Sequence, residues 1–278
     1  NDDVNMGQSS NDVIPSAISV SASLMVSDQL LKSLDHLQDV IETKATSLSE
    51  VVKTGRTHLM DAMPLTFGQE LNAWASQIKD IKSQFVAVLP NLQKLALGGT
   101  AVGTGVNAHP QMSSKAAQIL NEKTGMSFEP SVDRFRAISS QDVSLDLSAK
   151  TRTLAVMLTK ISNDLRWMNS GPLAGLGEIK LPALQPGSSI MPGKVNPVMC
   201  ESMMQVAARV IGNDQTVTLC GTAGGNFQLN IMMPVMGHTT LESIALLSSV
   251  VNAFVDLCAE DIEANEDACE AAVEQSLS

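Results

Sequence analysis

Residues 71–88 read LNAWASQIKDIKSQFVAV, and the apolar positions in this stretch recur at alternating steps of three and four: Leu71, Trp74, Ile78, Ile81, Phe85 and Val88. That spacing puts all six side chains on one face of an α-helix, whereas a half-buried strand would alternate at every second residue. The same rhythm runs through Leu30, Leu34, Leu37 and Ile41 upstream. Downstream it returns in Leu154, Leu158, Ile161 and Leu165, in Met199, Met203, Val206 and Val210, and in Leu241, Ile244, Leu247, Val251 and Phe254. Sustained three-four seams favour helices packed side by side at shallow angles, so the expected fold is all-α, an elongated bundle of about five long helices. Glycine- and proline-rich breaks fall at Lys53–Gly68, Gly98–Pro110, Gly171–Pro197 and Gly221–Asn226, with a weaker one around Thr124–Val132. Seams this long often continue into a neighbouring subunit, and 15 methionines suit an adaptable interface. A core lying wholly inside one chain would read the same.

A length of 278 residues allows one large domain or two modest ones. With 29 acidic against 18 basic residues the net charge is −11, which argues against nucleic acid or an anionic membrane as the main partner. An anionic substrate would then need a locally positive pocket. No apolar run looks long enough for a membrane span. The opening Asn1-Asp2-Asp3-Val4 is neither an initiator Met nor a signal peptide, so the chain reads as an excised piece. Cys200, Cys220, Cys258 and Cys269 are widely spaced in helix-like segments, as expected of buried thiols in a reducing compartment. The four histidines show no metal-ligand spacing, so neither metal nor other cofactor is implied.

Four polar segments are candidates for chemistry. The connection Gly171–Pro197 is longer than structureless loops usually are in compact domains, a mark of functional loops. It ends in Gly187-Ser188-Ser189-Ile190-Met191-Pro192-Gly193-Lys194-Val195-Asn196-Pro197, just before a helix. Gly187 permits a tight turn that aims N–H groups at an anion, Lys194 adds positive charge, and Asn196 both donates and accepts. The same glycines and prolines also make an ordinary loop. Gly55-Arg56-Thr57-His58 sets a histidine in a polar segment, where it can exchange protons near neutral pH or simply be solvated. Gln8-Ser9-Ser10-Asn11-Asp12 precedes the first long helix and reads first as an N-cap, with carboxylate binding as the alternative. Gly98–Asn107 is glycine-rich, but no strand precedes it, so a dinucleotide loop is excluded and a tight connection expected.

Taken in order, Ser-Ser-Asn-Asp, Gly-Arg-Thr-His, Gly-Gly-Thr-Ala-Val-Gly-Thr-Gly and the Ser188–Pro197 loop closely resemble the motifs of the class II fumarate hydratases in the fumarase/aspartase superfamily. The resemblance covers essentially the whole chain. It implies a lyase that reversibly hydrates fumarate to (S)-malate without a metal, acting as a homotetramer whose sites are each completed by three subunits. By the family pattern Ser188 would be the base at C3 of malate, and His58, paired with Glu201, would serve the water and acid side. Ser9, Ser10, Asn11, Thr57, Ser189, Lys194, Val195 and Asn196 would bind substrate, and Asn1 and Asp2 would belong to a secondary anion site whose first two residues are missing. Residues 1–265 would form the central helical domain and 266–278 the start of a C-terminal one, the N-terminal domain being absent. The chain alone is therefore expected to have little or no hydratase activity. A cytoplasmic setting, or the mitochondrial matrix in a eukaryote, goes with the family.

Two rival readings follow from the same residues. Aspartate ammonia-lyase shares the loop and the fold, but typically carries Gln where this chain has the His of Gly-Arg-Thr-His. A non-catalytic helical oligomerisation scaffold is the other, and the joint presence of His58, Ser188, Lys194 and Glu201 weighs against it.

Overall fold

The computed structural model describes residues 2–185, 187, 189–191 and 193–276. Along the chain the elements are α1 (Asp2–Asn5), α2 (Ser10–Met25), a π-helical turn (Val26–Leu30), α3 (Leu31–Ser47), β1 (Val52–Thr57), β2 (Met60–Thr66), α4 (Phe67–Leu92) and β3 (Lys94–Leu95). Then come α5 (Met112–Thr124), β4 (Glu129–Pro130), α6 (Arg134–Ser139), α7 (Asp142–Met168), β5 (Ile179–Lys180) and α8 (Val198–Ala223). The hairpin of β6 (Gly225–Asn226) and β7 (Leu229–Asn230), α9 (Met233–Leu257), a 3-10 turn (Ala259–Asp261), β8 (Glu263–Ala264) and α10 (Glu266–Gln275) complete it. The fold is all-α in character, with the strands confined to two-stranded pairs.

The seams are buried much as their spacing requires. Leu71, Trp74, Ile78, Ile81, Phe85 and Val88 are all buried on α4, as are Leu30, Leu34, Leu37 and Ile41 on the first helical run and the four expected positions of α7. On α8 the phase differs. Cys200, Met203, Ala207 and Val210 are buried, while Met199 and Val206 are only partly covered. The two sets share the buried Met203 and Val210 and both keep three-four spacing, so periodicity alone could not choose Cys200 and Ala207 over Met199 and Val206. Leu241 of α9 is likewise only half-buried, the seam beginning at Ile244.

The chain divides into two compact units. The first takes in Asn1–Leu31, Ser83–Thr153 and Arg209–Leu247. In it the helices approach closely at small residues: a Cβ on Gly237 of α9 would lie 2.7 Å from the Ile18 side chain of α2, and one on Gly221 of α8 would lie 2.9 Å from Leu145 of α7. Polar side chains also cross between helices, with Ser148 donating to Asp214 at 2.8 Å and Asn213 donating to Glu242 at 2.8 Å. A small satellite core of Leu95, Ala117 and Phe128 seats α5.

The second unit takes in Lys32–Lys82, Leu154–Ala208 and Ser248–Ser278. Here Lys82 of α4 pairs with Asp35 of α3, Lys160 of α7 sits 5.5 Å above the Trp74 ring of α4, and His36 of α3 meets Asp256 of α9 at 2.9 Å. Strand β5 pairs antiparallel with β8, Ile179 opposite Ala264, and α10 lies against β1.

Three sequence expectations need revision. A strand does precede the glycine-rich Gly98–Asn107 connection, since β3 pairs in parallel with β4 across α5, but strands of two residues each do not make a dinucleotide-binding sheet. The Lys53–Gly68 break is an antiparallel hairpin of β1 and β2, with a bulge between Thr54 and Arg56. Two helical stretches, Ser10–Ser47 and Met233–Asp261, do have the length and hydropathy to cross a membrane. Half of the second stretch's most apolar window is buried within the fold, as in a core helix that passes the same test.

Candidate active site

The end of the long connection builds a polar recess. A Cβ on Gly187 would lie 2.9 Å from the Lys194 carbonyl and 3.1 Å from the Gly193 and Lys194 nitrogens, so the loop can close on itself only with glycine there. Gly193 adopts φ +86°, the second place where a side chain would be strained. The closure, with the Lys194 N–H on the Met191 carbonyl at 3.2 Å, sets Lys194, Val195 and Asn196 side by side ahead of α8. These three line a recess of about 640 Å³ together with Asn169, Lys180 and Asn265. The Lys194 ammonium donates to Asn196 Oδ1 at 2.6 Å and is otherwise exposed. Two lysines and three amides around one recess give a locally positive, hydrogen-bonding lining in a strongly acidic protein, as an anionic ligand requires. Ser189 is exposed on the same loop. Ser188, the expected base, lies outside the described residues, as does Asn1.

Glu201 sits in the first turn of α8, half-buried, its N–H on the Pro197 carbonyl. His58 occupies the turn of the β1–β2 hairpin. Thr57 pairs with Met60 across a two-residue turn, and both His58 (φ +56°) and Leu59 (φ +60°) are left-handed. Such turns usually take Asn and Gly, which adopt this conformation at little cost. A histidine and a leucine there hold strain of the kind that gathers at functional sites. Thr57 and His58 are exposed. Among the described residues no hydrogen bond or ion pair joins His58 to Glu201, so one chain does not by itself make the expected pair.

At the start of α2, Ser9 Oγ accepts the Asn11 N–H at 3.2 Å and Asp12 accepts the Ser9 N–H at 2.9 Å, which is the capping arrangement the sequence favoured. Asp12 is fully buried. Its other oxygen accepts the Gly98 and Thr100 N–H groups at 2.9 and 2.8 Å. Asn11 donates to the Ala101 carbonyl at 2.9 Å. The Ser-Ser-Asn-Asp and glycine-rich motifs are therefore one assembly in the first unit. Ser10 is exposed, and Asp2 opens the short α1.

Sequence reasoning missed the buried ion network behind the hairpin. Lys53 Nζ lies 2.7 Å from Glu70 Oε2 and 3.2 Å from Glu178 Oε2, and Arg56 reaches Glu178 Oε1 at 2.7 Å. The Glu178 side chain is 1% exposed and that of Lys53 4%. No periodicity marks these residues, and the only available signal was charge: Lys53 and Arg56 on one segment read as a break, Glu178 on another, and Glu70 just beyond the first in a helix.

All four cysteines are free and buried. A hydrogen bond with Cys200 and burial push the Cys258 thiol up, while burial and the nearby Glu178 carboxylate push Cys269 up to about 11. Neither is a ready nucleophile. His36, Asp256 and Glu260 bring ligand-type atoms within 4.8 Å of one another, but Asp256 is already hydrogen-bonded to His36 at 2.9 Å on the surface.

Comparison with known proteins gives the family. Residues 1–212 match a family described as lyase. The chain belongs to this lyase family. It is 53% identical over 266 residues to a class II fumarate hydratase of Pseudomonas aeruginosa, covering 96% of this chain and 58% of that one. It is 51% identical over 276 residues to the class II fumarate hydratase of Xylella fastidiosa, covering 99% and 58%. Among solved structures it resembles the class II fumarase of Schistosoma mansoni (TM-score 0.96, 36% identity, 99% of this chain and 60% of that one). It also resembles a Brucella melitensis fumarate lyase:delta crystallin protein bound to cobalt (TM-score 0.95, 41% identity, 99% and 60%). The chain thus spans about 58% of the length of these curated relatives.

Proposed function

We propose that this chain supplies the central part of a class II fumarate hydratase, a lyase that reversibly hydrates fumarate to (S)-malate. The observation that carries the reading is the closed loop presenting Lys194, Val195 and Asn196 to one polar recess, in a chain 53% identical to such an enzyme. A C–H beside a carboxylate loses its proton only if the resulting charge is stabilised in place. Lys194 and the amides around it are fixed before reaction and cost no reorganisation. Ser188 is the proposed base at C3. Ser189, Lys194, Val195 and Asn196 hold one part of the substrate, and Ser9, Ser10, Asn11 and Thr57 hold the rest. Asn1 and Asp2 are proposed for a secondary anion site.

His58 and Glu201 are proposed to pair between subunits, which agrees with the absence of a hydrogen bond or ion pair between them among the described residues of one chain. That pairing makes a homotetramer with shared sites the working form. A reducing compartment, the cytoplasm or mitochondrial matrix, suits the four free thiols.

The test replaces the matching region of the Pseudomonas aeruginosa relative by residues 1–278 and follows fumarate formation from malate by ultraviolet absorbance. Turnover is expected, falling at least about 10³-fold in Ser188→Ala and more modestly in Lys194→Met. Ammonia release from aspartate in place of malate turnover would assign the rival lyase. A tetramer inactive on both would favour the scaffold. Residues 1–278 alone are expected to show little turnover.

A further inference from the structure

The strained turn at His58–Leu59 has to be held from its base, and what holds it is charge. Lys53 and Arg56 both reach the Glu178 carboxylate, and Glu70 reaches Lys53 from the other side. Arg56 and Lys53 come from β1, one on each side of the bulge, and Glu70 from the first turn of α4. Arg56 also donates to the Thr54 carbonyl at 3.3 Å, so its guanidinium folds back along its own strand. Lys53 is further enclosed by the Phe67 ring at 5.0 Å and Met168 Sδ at 3.1 Å. Glu178 itself cannot drift. Its N–H donates to the Met168 carbonyl at 2.8 Å, and its carbonyl accepts the Asn265 N–H at 2.8 Å and the Cys269 thiol at 3.7 Å. A buried carboxylate facing two buried or half-buried cations tolerates no neutral substitute without leaving a charge uncompensated.

We infer that Glu178 is a positioning residue: through Arg56 and Lys53 it fixes the hairpin so that Thr57 and His58 are presented in one geometry. Its backbone carbonyl holds Asn265 beside the recess around Lys194, but its carboxylate does not line that recess and touches no proposed substrate group. This inference rests on the reading that Thr57 and His58 serve the substrate, but its physical core concerns the hairpin alone. A displacement of about 1 Å in a catalytic group can cost about 10²-fold in rate, so a carboxylate remote from the chemistry can still control it.

The experiment has two arms. In residues 1–278, amide hydrogen exchange across 52–66 is compared for wild type, Glu178→Gln and Glu178→Asp, with Glu242→Gln as a control in the other unit. Exchange in the hairpin is expected to rise at least about tenfold in Glu178→Gln, less in Glu178→Asp, and not at all in the control, while the protection of α8 and α9 persists. In the chimaeric enzyme, Glu178→Gln is expected to lose about 10²-fold in kcat with a smaller change in KM, partly rescued by Asp. Unchanged hairpin exchange in a folded Glu178→Gln protein overturns the inference, as does a loosened hairpin with undiminished kcat. If Glu178→Gln fails to fold, the exchange of Glu178→Asp decides alone. A wild-type chimaera without malate turnover would remove the functional reading and leave the exchange arm standing.

Discussion

Asp12 is fully buried and accepts three backbone N–H groups, one from Ser9 and two from the glycine-rich connection at Gly98 and Thr100. Replacing it by Ala leaves all three donors without an acceptor. A buried donor left unpaired costs about 1–3 kcal/mol, which gives about 3–9 kcal/mol for three. Ser9 is only half-buried, and water entering on that side should satisfy its N–H, so the lower part of that range applies, about 3–5 kcal/mol. Asp12→Asn keeps one carbonyl oxygen and turns an amide N–H₂ toward at least one donor, so it should cost about 2–3 kcal/mol. Ser9→Ala removes a single cap bond and should cost about 1 kcal/mol. Urea unfolding at fixed protein concentration, followed by far-ultraviolet circular dichroism, measures the order. Hydrogen exchange at Gly98 and Thr100 reports whether the loss is local. An Asp12→Ala variant within about 1 kcal/mol of wild type would refute this account of the junction. So would a Ser9→Ala variant less stable than Asp12→Ala, or unchanged exchange at Gly98 and Thr100.

Three further outcomes are expected. A Cβ on Gly55 would lie 2.4 Å from the Met63 carbonyl oxygen across the hairpin, so Gly55→Ala should destabilise by about 1–3 kcal/mol and loosen 52–66 in hydrogen exchange. Gly212 of α8 has open space around it, and Gly212→Ala should instead stabilise by up to about 1 kcal/mol in the same unfolding assay. The Cys269 thiol, held at about 11 in the folded protein against an ordinary value near 9, keeps its proton when the unfolded chain has lost it. Stability from this group is present below about pH 9 and is lost as pH rises toward about 11, by at most about 1.4 kcal/mol for each pH unit crossed. Unfolding midpoints of wild type and Cys269→Ala should therefore converge across that window. Parallel pH profiles would refute the assignment.

The long helices were legible because their information is redundant. Each seam repeats a three-four step several times, and on α4 and α7 every predicted position is buried. On α8 two registers satisfied that rule, and the sequence offered no local feature to prefer Cys200 and Ala207 over Met199 and Val206. Periodicity reports that a helix has an apolar side, but where two stripes adjoin it cannot report which one the partners cover. The hairpin at Val52–Thr66 was missed for a different reason. Its turn is His58–Leu59, with none of the Asn-Gly chemistry by which two-residue turns announce themselves, and its strands carry Lys53 and Arg56 facing a partly buried interior.

That last contrast bears on how the site is built. The residues readable as chemistry, namely Thr57, His58, Ser189, Lys194 and Asn196, are exposed or half-buried on a turn and a loop, where nothing in local propensity would hold them. The groups that hold them are the unreadable ones. Gly187 admits the loop's own backbone to within contact distance. Asp12 gathers three N–H groups, two of them from a segment 86 and more residues away, and Glu178 neutralises two cations beneath a strained turn. Asp12 and Glu178 act across long sequence separations, so no window of neighbouring residues contains both the supporting group and what it supports. A motif search therefore finds the presented side chains and passes over their supports. Substitutions at Asp12, Gly187 and Glu178 should accordingly damage the site as much as substitutions within the motifs, although none of these three is expected to touch the substrate.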